Sequence, residues 1–104
     1  MCENSVLSEE PSPDKLLKAV SFIRGCGATT SDSLNVSVIP INEQIDTGNA
    51  YVAENISNEQ QITISWSAPD QLVIHTIKPA RIFKYEKRIN SVSVEIYYQS
   101  AFNL

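Results

Sequence analysis

The chain is expected to fold as an all-β domain, an antiparallel sandwich or small barrel, and three observations carry that expectation. Apolar and polar side chains alternate with a period of two from residue 17 onward, and breakers such as Pro40, Pro69 and Pro79 interrupt the alternation. The segments between breakers recur at a spacing of roughly 8 to 12 residues, which gives about seven short strands. At 104 residues and 42% hydrophobic the chain suits one compact domain, bounded here as 16–104 behind a flexible acidic, polar tail at 1–15. A chain of this length buries roughly two-thirds of its unfolded surface, enough to fold without metal or disulfide.

Residues 1–15 hold three Ser, two Pro and the carboxylates Glu3, Glu9, Glu10 and Asp14, with little to bury. Ser12-Pro13 fits the cap and first position of a short helix through Leu16 and Leu17 as well as a turn. Turn followed by strand is the preferred reading. Lys18, Val20, Phe22 and Arg24 then share one face of a strand, with Leu17, Ala19, Ser21 and Ile23 on the other. Leu34, Val36 and Val38 alternate with Asn35, Ser37 and Ile39 until Pro40, which lacks a backbone donor, ends the ladder.

Residues 41–48 read as a loop with Asn42, Asp46 and Gly48 as turn formers, followed by a weaker strand at 50–54. Ile62, Ile64 and Trp66 alternate with Thr63, Ser65 and Ser67, the cleanest one-face-buried pattern present, so Trp66 is assigned to the core. After the turn Ala68-Pro69-Asp70, residues 72–77 are apolar on both faces, as a central strand requires. Lys78-Pro79 breaks that strand. Strands at 81–86 and 92–98 flank Lys87-Arg88-Ile89-Asn90-Ser91, a hairpin connection in which Asn90 takes the left-handed conformation.

Several functional classes are disfavoured at once. No run approaches the ~18 apolar residues of a membrane helix, so no transmembrane segment is expected. The formal net charge of −4 has the wrong sign for a protein that neutralises phosphates, so no nucleic-acid partner is expected. Cys2, Cys26 and the lone His75 give no zinc-ligand spacing and too few cysteines for a disulfide scaffold, so neither metal nor cofactor is expected. No basic-then-apolar secretory signal opens the chain. Met1-Cys2 ahead of a polar run has the look of a mature lipoprotein whose signal was replaced by a start Met, and an ordinary cytoplasmic start fits equally. The compartment stays open between the cytoplasm and a bacterial envelope.

Two surfaces gather chemistry. The segment from Arg24 through Cys26, Thr29, Thr30 and Asp32 to Ser33 combines a thiol, hydroxyls and a carboxylate between two of the three Gly residues and the next strand. Small residues let a ligand approach the backbone there, and the hydroxyls equally satisfy a bare turn. A thiol nucleophile at Cys26 needs a base or cation, for which His75, Arg24 and Asp32 are the candidates, while His75 itself reads as a partly buried, hydrogen-bonded side chain. The second surface is basic. Lys78, Arg81, Lys84, Lys87 and Arg88 are five of the eight basic residues, opposed there only by Glu86, against an acidic middle at Glu43, Asp46, Glu54 and Glu59. Such a strip steers an acidic partner or guards a strand edge, and Tyr85, Tyr97, Tyr98 and Phe102 beside it favour a protein contact.

The sequence resembles a family of small bacterial domains through Ser12-Pro13-Asp14, Lys18-Ala19-Val20, Arg24 with Cys26-Gly27-Ala28-Thr29-Thr30, Val36-Ser37-Val38-Ile39, Gly48-Asn49-Ala50-Tyr51-Val52, Ile64-Ser65-Trp66 and Leu72. The likeness covers roughly residues 12–98, and Cys-Gly-Ala-Thr-Thr is its most particular stretch. Where Pro13-Asp14-Lys15-Leu16 stands, similar chains more often read Pro-Asp-Gly-Lys, which supports a turn. The resemblance implies a shape and a frequent envelope-lipoprotein setting, and no activity. The expected function is a non-enzymatic binding or protein-interaction module that self-associates, with Arg24, Cys26, Thr29, Thr30, Asp32, Arg81, Lys84, Tyr85 and Arg88 as contact candidates. A lipoprotein domain tethered through Cys2, and a thiol enzyme using Cys26, are the alternatives.

Overall fold

A computed structural model of the protein describes residues 2–27, 32–55, 62–79 and 81–99. Among them are nine strands and no helix: β1 (Glu3–Pro11), β2 (Leu17–Gly25), β3 (Ser33–Pro40), β4 (Tyr51–Glu54), β5 (Ile62–Ala68), β6 (Gln71–Ile77), β7 (Ile82–Tyr85), β8 (Arg88–Ile89) and β9 (Val92–Gln99). They make two open sheets in a sandwich, one of five strands in the order β1-β2-β3-β4-β7 and one of four in the order β5-β6-β9-β8. Every neighbour in the first sheet is antiparallel. The second departs from the antiparallel expectation, because β6 and β9 pair in parallel. The cause is the path between them: the chain leaves β6 for β7 in the opposite sheet and returns through β8, so it re-enters beside β6 in the same direction.

Within residues 1–15, expected as a tail, Glu3–Pro11 instead form the edge strand β1, in register with β2 from Glu3↔Gly25 to Pro11↔Lys18. An edge strand draws its hold from ladder hydrogen bonds and can leave most side chains in water, so its composition imitates that of a tail. The connection is a turn, not a helix. Ser12 is buried; its N–H donates to Leu17 O (2.8 Å), its Oγ accepts from Leu17 N (3.1 Å), and its hydroxyl donates to Asp14 Oδ1 (2.6 Å). The Ser12 hydroxyl and the Leu16 amide hold the Asp14 carboxyl below its ordinary range.

Lys15 completes this turn at φ 65°, a left-handed backbone that costs a side-chain-bearing residue about 1–2 kcal/mol. Lys15→Gly removes that cost and adds some unfolded-chain entropy, so stability should rise by about 0.5–1 kcal/mol. A higher urea midpoint at unchanged m shows it, and an unaltered or lower midpoint would exclude strain at Lys15.

The strand β2 is buried on both faces over Ala19, Val20, Ser21 and Phe22. Ala19, with Leu17 and Ile23 against it, belongs to the core between the sheets. Val20 and Phe22 point the other way, and the loop 41–49 covers that outer face. The loop is fastened by polar side chains that alternate with the core residues of β3. Asn35 Oδ1 accepts from Gly48 N (3.0 Å), Ser37 Oγ donates to Thr47 O (2.9 Å), and Asn49 exchanges two bonds of 2.8 Å with the Val38 backbone. Gly48 is required here, since a Cβ would stand 2.7 Å from Tyr51 O and 2.9 Å from Asn35 Oδ1.

Between the sheets lie Leu34, Val36, Val38, Ala50, Tyr51 and Ala53 from one side and Ile64, Leu72, Ile74, Val92 and Val94 from the other. The alternation in β5 holds with one adjustment: Ile64 is buried, while Ile62 and Trp66 pack against the core partly exposed. Trp66 Nε1–H donates to Glu10 O across the β1/β5 side (2.9 Å), closing the sandwich there. Strand β6 is central, as its apolar character requires. The expected hairpin of 81–86 with 92–98 does not form. β7 joins the first sheet beside β4, and the two-residue β8 takes the hairpin position, Ile89↔Val92, around Asn90 at φ 54°.

Candidate functional site

Cys2 precedes β1 and Cys26 follows β2, so the Glu3↔Gly25 register sets them opposite one another, and their sulfurs are bonded in a disulfide. The thiol proposed as a nucleophile is consumed in that bond, and so is the Cys2 sulfur that a lipid tether uses. No free cysteine occurs among the described residues.

The remaining members of that corner are structural or scattered. Arg24 Nη1 donates to Asn4 Oδ1 (3.0 Å) and Asp46 O (2.6 Å), which ties β1, β2 and the loop 41–49 together. Asp32 is exposed and its carbonyl accepts from Asn55 N (3.2 Å). With Glu3, Ser5, Ile23, Gly25 and Gly27 it lines a cleft of about 340 Å³ beside the disulfide. Thr29 and Thr30 lie outside the described residues. His75, expected to be partly buried, stands exposed on the outer face of the four-stranded sheet and stacks on Tyr97 at 5.2 Å, its parallel cross-strand neighbour. Its alternation partners Leu72, Ile74 and Thr76 take the inward face. Nucleophile, base and orienting acid are therefore not assembled among the described residues, and no group of three or more His, Cys, Asp or Glu there could hold a metal ion.

The basic segment is organised differently. Arg81, Lys84, Tyr85 and Arg88 all lie along one side of the sandwich, where β7 edges the five-stranded sheet and β8 edges the four-stranded one. The chain crosses between the sheets there, Glu86 N donating to Ala50 O (2.9 Å) and Val94 N to Lys87 O (2.9 Å). Tyr85 turns inward, and its hydroxyl donates to Val94 O of the other sheet (2.8 Å). Lys84 lies opposite Val52, on the outer face, while consecutive Val52 and Ala53 pair with Lys84 and Ile82. Phe83 is thus the extra residue of a β-bulge, 60% exposed, next to Ile82 at 45%.

Sequence reasoning found the charges of this edge and missed its two most exposed apolar groups. Ile82 and Phe83 fit an alternating strand on paper; the bulge that displaces Phe83 has no local sequence mark.

Behind β7, Tyr51 is fully buried and its hydroxyl accepts from that of Tyr98 (3.3 Å). Burial first, and the Tyr98 hydroxyl second, push the Tyr51 phenol far above its ordinary value of 10. Unfolded Tyr51 ionises above pH 10 while folded Tyr51 stays protonated, so its stabilisation is whole below pH 10 and is lost as pH rises beyond it. The expected loss is about 1.4 kcal/mol per pH unit from this group. Urea midpoints between pH 9 and 11 test it: Tyr51→Phe should flatten the decline, and an equally steep decline in the variant would contradict the assignment.

No protein-family model, curated protein or solved structure matches the chain.

Proposed function

We propose that the protein is a non-enzymatic interaction module that associates with further copies of itself, using the β7 edge as its contact surface. The observation that carries this reading is the pairing of an open strand edge with large apolar side chains held in water: Ile82, the bulged Phe83 and the outer rim of Tyr85. Protected edges in monomeric proteins show short strands and lysines, and β7 has both; its exposed Phe and Ile go beyond what protection requires. Aromatic residues flanked by arginine and lysine are the composition of a protein contact. The disulfide supports residence in an oxidising compartment.

Sedimentation velocity across the micromolar to millimolar range tests the reading. The mean mass should climb with concentration, and Phe83→Asp, at an exposed position that the fold does not need, should weaken association at least about tenfold. A single species of monomer mass at every concentration would refute it.

A further inference from the structure

Which surface receives β7 is the open question, and the five-stranded sheet has one other edge, β1. The two edges are matched in three respects. First, their charges oppose: β1 presents Glu3, Glu9 and Glu10, whereas β7 presents Lys84 and the residues flanking it present Arg81, Lys87 and Arg88 against the single carboxylate Glu86, all exposed. Glu9 is partly engaged by Lys18 Nζ at 3.3 Å, which leaves Glu3 and Glu10 without an ion pair among the described residues. Second, each edge carries exposed apolar side chains that include a bulge residue. On β1 these are Val6 at 53% and Leu7 at 43%, and the register break between Val6 and Ser8 makes Leu7 the extra residue, as Phe83 is on β7.

Third, the directions agree. Four successive antiparallel pairings separate β1 from β7, so the two strands run the same way. A second copy displaced along the hydrogen-bonding direction, without rotation, therefore sets its β1 parallel to β7 of the first and continues the sheet. The alternatives are same-edge dimers about a two-fold axis. Those would set β7 basic against β7 basic or β1 acidic against β1 acidic, and like charges facing one another across strands are unfavourable.

We propose that self-association is heterologous, β7 of one copy docking on β1 of the next. Resting on the self-association proposed above, it specifies the partner surface and its consequence. A contact between unlike edges leaves a free β1 at one end and a free β7 at the other, so it repeats into rows of domains and does not stop at a dimer. The disulfide has a place in this arrangement, because it fixes the open end of β1 to β2 and keeps the receiving edge formed.

Charge reversal separates the possibilities. Three variants are needed: Glu3→Lys with Glu10→Lys on β1; Lys84→Glu on β7 with Arg88→Glu on the adjoining β8; and all four together. Trp66 emission and thermal melts establish that each is folded. Against the wild type in sedimentation velocity, each two-site variant should associate at least about tenfold more weakly, and the four-site variant should regain association. A β7-to-β7 contact predicts instead that the β1 variant behaves as wild type and the four-site variant stays dissociated; that result overturns the inference and leaves self-association standing. If the wild type itself never rises above monomer mass, both proposals fall.

Discussion

Removing the Cys2–Cys26 bond, by Cys2→Ser with Cys26→Ser, should lower the unfolding free energy by about 3.5 kcal/mol at 25 °C, the chain-entropy value for a closed loop of this size. The bond joins positions 24 apart in sequence. In a domain of about 100 residues that loss corresponds to a fall in Tm on the order of 15–25 °C. The damage has a location as well as a size. β1 is an edge strand held otherwise by the β2 ladder and by side-chain contacts such as Arg24 to Asn4, Lys18 to Glu9 and Trp66 to Glu10, so the released end frays from Glu3 inward before the core opens. Exchange-protected amides of residues 3–6 should therefore become labile in the variant while those of Leu72 and Ile74 stay protected. Melting curves that coincide for the two proteins would show that the clasp contributes nothing.

Trp66→Ala should cost about 3 kcal/mol, toward the lower end for a large aromatic because the indole is only partly buried. Two contributions are separable. The ring packs against the core cluster, and its Nε1–H reaches Glu10 O, a link between the two sheets along the β1/β5 side. Trp66→Phe keeps most of the packing and discards the hydrogen bond, so it should cost about 1 kcal/mol. Urea titrations of the three proteins resolve these values, with circular dichroism as the probe since the variants lack the only Trp. Equal losses for Ala and Phe would place the whole contribution in the hydrogen bond and contradict the packing role.

Much of the fold was legible because burial on one face leaves a period-two record. Leu34-Val36-Val38 and Ile64 with Trp66 occupy the inward positions that their alternation marks, and residues 72–77, apolar on both faces, form the interior strand β6. Asn90 was legible for a different reason, since Asn is among the few side chains that tolerate the left-handed backbone found there. β1 was not legible, because an edge strand need bury little and Glu3, Glu9 and Glu10 lower its apparent order. One signal for it was present all the same: Cys2 and Cys26 are equidistant from Asp14, so a turn centred there sets them face to face. The parallel pairing of β6 with β9 depends on the chain crossing between sheets, and nothing local records such a path. Of the candidate site residues, Arg81, Lys84, Tyr85 and Arg88 fall on one side of the sandwich, while Arg24 turns out to be held by Asn4 and Asp46. Long side chains are assigned partners by tertiary structure, which composition does not carry.

The open edge at β7 is the point on which the functional account turns, and amide hydrogen exchange reads it residue by residue. Exchange of the Ile82–Tyr85 amides should slow as protein concentration rises, with the amides of His75 and Val73 unaffected, because docking a strand on that edge withdraws its free N–H groups from water. Exchange at Ile82–Tyr85 that is equally fast in dilute and concentrated protein would contradict the account.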